Sequence, residues 1–338
     1  MKKSKYIIFL FVSSLIFNSC EKLFFEKEME NNPISNFEYL WKEINQKYAF
    51  LDYKKINWDS VYNVYRPLVN EDISDDSLFN ILSAMLNELR DGHVNLKSPF
   101  NISRYDNFYV GRSNVDFDVI RINYLKENYI ITGSFKHNFI KDGQIGYILY
   151  SSFSNSIISD YELDYLINRY KETKGLIIDI RQNGGGYVSN VFKLLSAFIE
   201  NETKIYETQI KTGPGKDDFS VLEEVKINQR NGRKYLKKVF VLTDRGSYSA
   251  SSFFSVSTYA IENIKLVGDT TGGGLGLPNG GQLPNGWTYR FSITRTIAVD
   301  GENYENGVPP DYTVILSETD RQNGIDNVIE FAAEKILE

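Results

Sequence analysis

Cysteine and histidine are nearly absent from this sequence. Its 338 residues include one cysteine, Cys20, and two histidines, His93 and His137. A lone thiol excludes an intramolecular disulfide, and three such ligands cannot furnish the usual tetrahedral zinc site. Despite 24 glycines there is no Walker phosphate loop and no GxGxxG stretch, so nothing marks a nucleotide site. The acidic stretch from Asp300 to Gly307 lacks calcium-loop spacing and reads as a turn. No metal and no cofactor are therefore expected. Basic stripes are missing too. The 44 acidic residues outnumber 38 basic ones, a net charge of −6, which argues against a nucleic-acid partner and for a solvated surface.

No apolar run is long enough to span a bilayer as a helix. The longest at the N-terminus, Tyr6 to Phe17, follows the basic "MKKSK" and ends just before Cys20, which is preceded by the small Ser19. This pattern resembles a bacterial lipoprotein signal. It implies a signal peptide over 1–19, lipidation of Cys20, a tether over 20–33, and a protein lipid-anchored in the cell envelope at the outer membrane. Phe17 and Asn18 depart from the usual residues before such a cysteine, and an ordinary secretory signal is the alternative.

Hydrophobic residues make up 42% of the chain and aromatics 14%, enough for a large core and for binding clefts. Over 34–98 the periodicity is helical. Phe37, Leu40, Trp41, Ile44 and Tyr48 fall on one face of a first helix capped by Ser35. A second helix starts near Asp59 or Ser60, and a third runs from Ser74 towards Gly92. Together they predict a three-helix bundle. Residues 99–145 read as a small β-rich segment, with strands in "NVDFDVIRINYL", "NYIITGSF" and "QIGYILYSSF". From 146 to 338 buried strands ("GLIIDI", "KKVFVLTD", "IKLVGD") alternate with helices, which predicts an α/β core with parallel pairing.

Chemistry concentrates in "LTDRGSYSASSFF", where four of the six residues from Ser247 to Ser252 are serine. A serine needs a base within reach and donors for an oxyanion. At a strand end opening a helix, the free amides of the first turn and the helix dipole supply the donors. For any one serine taken alone, capping and packing are the ordinary roles. Of the two possible bases, His93 sits in the loop "LRDGHVNL", where functional groups are often held. His137, between Lys136 and Lys141, reads as solvent-exposed and of little functional weight.

Four blocks in order, "LRDGHVNL" (89–96), "GLIIDIRQNGGG" (175–186), "VFVLTDRGSYSASSFF" (239–254) and "GDTTGGG…LPNG…DGENYENGVPPD" (268–311), resemble the tail-specific and tricorn-type serine peptidases of family S41. The resemblance implies a ClpP/crotonase-like α/β core and hydrolysis of a peptide or protein substrate. It places the nucleophile at Ser249 and the oxyanion donors at Ala250 and Gly185, with Gly184 as the near alternative. Ser252 stands where the family carries a glutamate. The Ser/Lys branch would have a lysine where Gly274 lies, and no lysine occurs between Lys265 and Lys335. The tricorn-like branch implies His93 as base and Glu305 as the group that orients or polarises the site, with Gly92 in place of a serine. The gap before the core is too short for the PDZ module of the dyad branch. Asp179, Arg181 and Asn183 read as structural residues fixing the glycine turn. Gly92 and Ser252 also admit a catalytically inactive, peptide- or ligand-binding lipoprotein of the same fold.

Overall fold

The computed structural model describes residues 30–106 and 113–338. It opens with three helices, α1 (Pro33–Lys47), α2 (Trp58–Tyr65) and α3 (Asp75–Asn87). Asn32, rather than Ser35, caps α1 by accepting from Ser35 N at 2.8 Å. Pro33 follows it at the first helical position, where a missing N–H costs nothing. Asn57 caps α2 and Ser74 caps α3. Phe37, Leu40, Ile44, Leu78, Leu82 and Leu86 close a core that also takes in Leu283, Trp287, Tyr289 and Phe291 from far along the chain.

Those distant residues arrive through a sheet. Strands β1 (Asn95–Lys97) and β2 (Ile102–Arg104) follow α3. The central sheet takes β3 (Ile130–Thr132), β4 (Phe135–Ile140), β5 (Ile145–Tyr150) and β6 (Gly175–Asp179). The hairpin β7 (Thr203–Ile210) and β8 (Glu223–Ile227) leaves it, and β9 (Lys238–Thr243) and β10 (Ile264–Gly268) return to it. Next come β11 (Pro278–Gln282), β12 (Thr288–Ser292), β13 (Thr294–Ala298) and β14 (Tyr312–Thr313). The sheets are ordered β11-β12-β1-β2, β14-β10-β9-β6-β5-β4-β3 and β13-β7-β8. From β5 to β14 the central pairings are parallel.

Helices cover both faces of the central sheet, which is why its inner strands β5, β6 and β9 are buried almost throughout. Helices α4 (Asp160–Tyr170), α5 (Val188–Leu195) and α6 (Ala250–Thr258) share one core with Leu176, Ile178, Val239 and Val241. The alternate residues Ile177, Phe240 and Leu242 face the other way, onto α7 (Asn327–Leu337) through Val328, Ile329, Ala332 and Ile336. Parallel strands aligned in this way put the turns after β6 and β9 at the same end of the sheet, where ligands of open α/β sheets bind.

Beside the cap of α1, two expectations are corrected. The "NVDFDVIRINYL" stretch is helical, Phe117–Val119 running on into the wider turns of Ile120–Leu125. Asp116 caps it by accepting from Asp118 N and Val119 N, and Val119, Ile120, Tyr124 and Leu125 bury one helical face. The strands expected in "NYIITGSF" and "QIGYILYSSF" do form, as β3, β4 and β5 of the central sheet. His137 is fully buried on β4, bonded to Tyr170 Oη at 2.7 Å and Thr132 Oγ1 at 2.9 Å. Burial, with Arg169 adding to it, pushes its pKa down to about 4, so it is a neutral core residue.

Candidate active site

β9 ends at Thr243, a turn follows, and α6 starts at Ala250. Ser249, the residue between, has φ 56° and ψ −118°, a conformation L-residues rarely adopt. Such a residue costs about 1–3 kcal/mol and persists only where its surroundings pin it. Here Ser249 N donates to Gly273 O at 2.9 Å, and Ser249 O accepts from Phe253 N. The elbow separates the four serines. Three are fully buried and spend their hydroxyls internally. Ser247 Oγ donates to Ile180 O, Ser251 Oγ to Asn183 O, and Ser252 Oγ to Thr271 Oγ1. Ser249 alone is half-buried and opens onto a cleft of about 920 Å³.

Across that cleft His93 Nε2 lies 2.9 Å from Ser249 Oγ. The loop that carries the ring is fixed at both ends. Asp91 Oδ1 accepts from His93 N at 2.8 Å, and β1 begins two residues on, with Asn95 paired to Arg290 of β12. Tyr248 packs against the ring at 5.0 Å between centroids. Burial pushes the imidazole pKa below its ordinary value. Asp91 opposes this and Arg290 adds to it, while the Gly276 carbonyl favours the charged ring. His93 Nδ1 is buried and makes no hydrogen bond of good geometry.

Glu305 is buried and makes no hydrogen bond to His93. Its Oε2 accepts from Leu275 N at 2.7 Å and Gly276 N at 3.0 Å, and its carbonyl accepts from Gly274 N. It therefore braces the segment 273–276, which carries both the Gly273 carbonyl bonded to Ser249 and the Gly276 carbonyl that acts on His93. Burial and the nearby Asp91 push the Glu305 carboxyl up to about 8.

Asp91 itself was not singled out as a site residue. Burial opposes its ionisation, but Lys54 and His93 hold its pKa below the usual carboxylate range. Tyr48 Oη and Ser292 Oγ donate to its Oδ2 at 3.0 and 3.1 Å, and Lys54 Nζ stands 4.0 Å away. An aspartate two residues before a loop histidine is an Asx-turn signal, and it stood in "RDGH". Nothing local marks Tyr48 and Lys54, which reach Asp91 from beyond the end of α1.

Ala250 N–H is the first amide of α6 and meets no acceptor among the described residues. The glycine turn lies against it: a Cβ on Gly185 would sit 2.8 Å from Ala250 N and 2.6 Å from Tyr248 O, which requires glycine there. Gly185 N–H, the first choice for the second oxyanion donor, instead bonds Asn183 Oδ1 at 3.0 Å. Gly184, exposed on the cleft, keeps an amide that no described residue accepts. Asn183 is buried and ties the turn to Tyr150 O through Nδ2. Among the described residues no cluster of three or more His, Cys, Asp and Glu could hold a metal ion, and no helix is long and apolar enough to cross a membrane. Cys20 lies outside the described residues.

Comparison with known proteins gives consistent matches. A model described as "Peptidase family S41" covers residues 144–314, and one described as "Tricorn protease C1 domain" covers 29–87. The carboxy-terminal processing protease CtpB of Bacillus subtilis (strain 168) is 29% identical over 155 residues, 41% of this chain and 30% of that protein. CtpA of the same organism is 27% identical over 141 residues, 41% of this chain and 28% of that one. The matched stretch thus spans less than a third of these curated relatives. A crystal structure of a peptidase candidate from Parabacteroides merdae ATCC 43184 is 38% identical with a TM-score of 0.86, covering 91% of this chain and 98% of that one. Mature CPAF, at 13% identity and a TM-score of 0.66 over 90% and 96% of the chains, shares the fold.

Proposed function

Because the chain belongs to peptidase family S41, we propose that it hydrolyses peptide bonds through an acyl-enzyme on Ser249, with His93 as its base and no lysine in the dyad position. The observation that carries this reading is the 2.9 Å approach of His93 Nε2 to Ser249 Oγ at a strained elbow beside unpaired amides.

His93 Nε2 takes the Oγ proton as Ser249 attacks the scissile carbonyl. The Ala250 and Gly184 amides receive the oxyanion, and Gly185 contributes by bringing the turn close. The imidazolium then protonates the leaving amine, and water, deprotonated by the same ring, resolves the acyl-enzyme. This cycle needs His93 neutral with its proton on Nδ1, and the Gly276 carbonyl is the acceptor available to that proton. Glu305 acts through this carbonyl by holding the Gly276 amide. The missing Nδ1 hydrogen bond favours a second reading, an inactive peptide-binding member of the fold.

A fluorophosphonate probe separates the two. The hydrolase should be labelled on Ser249, and Ser249→Ala should not be labelled; a folded wild-type protein that stays unlabelled supports the binder. We further propose that the chain is anchored in the cell envelope by a lipid on Cys20, as its N-terminal pattern implies. An alkynyl fatty acid fed to expressing bacteria should enter the wild-type protein and not Cys20→Ser. Equal incorporation, or none in either, would remove the anchor.

A further inference from the structure

The small sheet turns one face to the helices and the other to the cleft. Residues paired across antiparallel strands share a face, and so do residues two apart on one strand. Arg290 pairs with Asn95, Asn95 pairs with Arg104, and Lys97 follows Asn95 on the same side. The intervening Leu96, Tyr289 and Phe291 point the other way, into the helical core. Arg290, Arg104 and Lys97 are all exposed, and all line the cleft that holds Ser249 and His93.

Their charges are poorly balanced. Arg104 Nε bonds Asp106 at 3.1 Å, in a pair largely open to solvent. Asp106 is the one carboxylate lining this cleft among the described residues. The Arg290 guanidinium and the Lys97 ammonium have no hydrogen-bond or ion-pair partner among the described residues, their backbones alone being paired in the sheet, and Arg290 stands near enough to His93 to act on its charge. Asn95 lies between Arg290 and Arg104, and Lys97 pairs with Thr288 and Ile102, so the three cations share the face without standing directly opposite one another. In a chain of net charge −6, acidic partners are plentiful elsewhere. Cations left unpaired beside a nucleophile are available to an incoming anion.

We propose that this face is a carboxylate-binding subsite, with Arg290 as its main contact and Lys97 as its second, so that the favoured peptide places a carboxylate there. That carboxylate is either an acidic side chain or the peptide's own C-terminus. The proposal rests on the hydrolase reading for cleavage, but not for binding.

Binding to the full-length Ser249→Ala protein is the test, because it needs no turnover. The probe is an octapeptide library built from Glu, Gln, Leu, Ala and Lys, in free-acid and C-terminal amide forms. We expect retained peptides to carry a carboxylate at a fixed position. Neutralising it should weaken binding about tenfold. Glu→Gln in the peptide will do so if the source is a side chain, and amidation if it is the C-terminus. In Ser249→Ala/Arg290→Glu the preference should vanish or reverse, and Lys97→Glu should reduce it. No enrichment of carboxylates, or a preference that survives both charge reversals, overturns the proposal. Fluorophosphonate labelling of the wild type reports on the hydrolase separately, so either claim can fail while the other stands.

Discussion

Ser249→Ala should lower kcat/KM on any peptide the wild-type protein cuts by roughly four to six orders of magnitude, and His93→Ala by a comparable factor. The double variant should be little worse than either single one. Nucleophile and base work as one unit, and what survives is the residual contribution of amides and binding. The pH profile adds a sign. Burial holds the His93 pKa below 6.5, and the base works only when neutral. Activity should therefore be present above that depressed value and be lost as pH falls through it, with a midpoint below 6.5. The neighbours move the midpoint in opposite directions. Asp91→Asn removes a charge that favours the imidazolium, so the midpoint falls. Arg290→Ala removes one that opposes it, so the midpoint rises. A stability defect would shift neither in this paired way.

Arg181→Met should destabilise the fold by about 3–5 kcal/mol, the range for removing one partner of a buried ion cluster. Arg181 is fully buried at the end of β6, with Nη2 2.6 Å from Asp179 and 2.9 Å from Asp326 and Nη1 donating to Asn114 O at 2.7 Å. Its loss leaves two buried carboxylates facing each other without a cation. Asp326 also caps α7, and Asp179 accepts from Tyr147 Oη, so the cluster joins the sheet end, the C-terminal helix and the segment at 114. The glycine turn begins two residues beyond Arg181. Urea unfolding measures the effect. A loss under 1 kcal/mol would mean the cluster is dispensable, and adding Asp179→Asn should recover part of the deficit by removing a stranded charge.

Strands β6 and β9 were legible because burial on both faces writes a near-continuous apolar run, and β10 because only Lys265 interrupts one. Helices α1 and α3 were legible because one buried face writes a 3.6-residue period. Residues 114–125 were misread because β-branched and aromatic residues suggested strand. The cap that decides it, Asp116, is a three-residue signal lost among them. His137 was misread because its burial depends on Tyr170, which lies 33 residues away. The same limit applies to the site. Residue type and position alone do not separate Ser249 from Ser247, Ser251 and Ser252; the resemblance to family S41 picks it out, and the elbow and the hydrogen bonds of the other three set it apart in the fold. Pairing of β1 with β12 brings Arg290 beside Asn95 across nearly two hundred residues, and no pattern in either strand announces that contact. Asp91 lay in plain view two residues before His93, but its partners Tyr48, Lys54 and Ser292 come together only in the fold.

Peptide-mapping mass spectrometry of fluorophosphonate-treated protein, with the labelling rate followed from pH 4 to 8, bears most directly on the pairing of Ser249 with His93. The modification should fall on Ser249, its rate should rise with a single ionisation below pH 6.5, and both should disappear in His93→Ala. Label on another residue, or a Ser249 rate indifferent to pH and to His93, would contradict it.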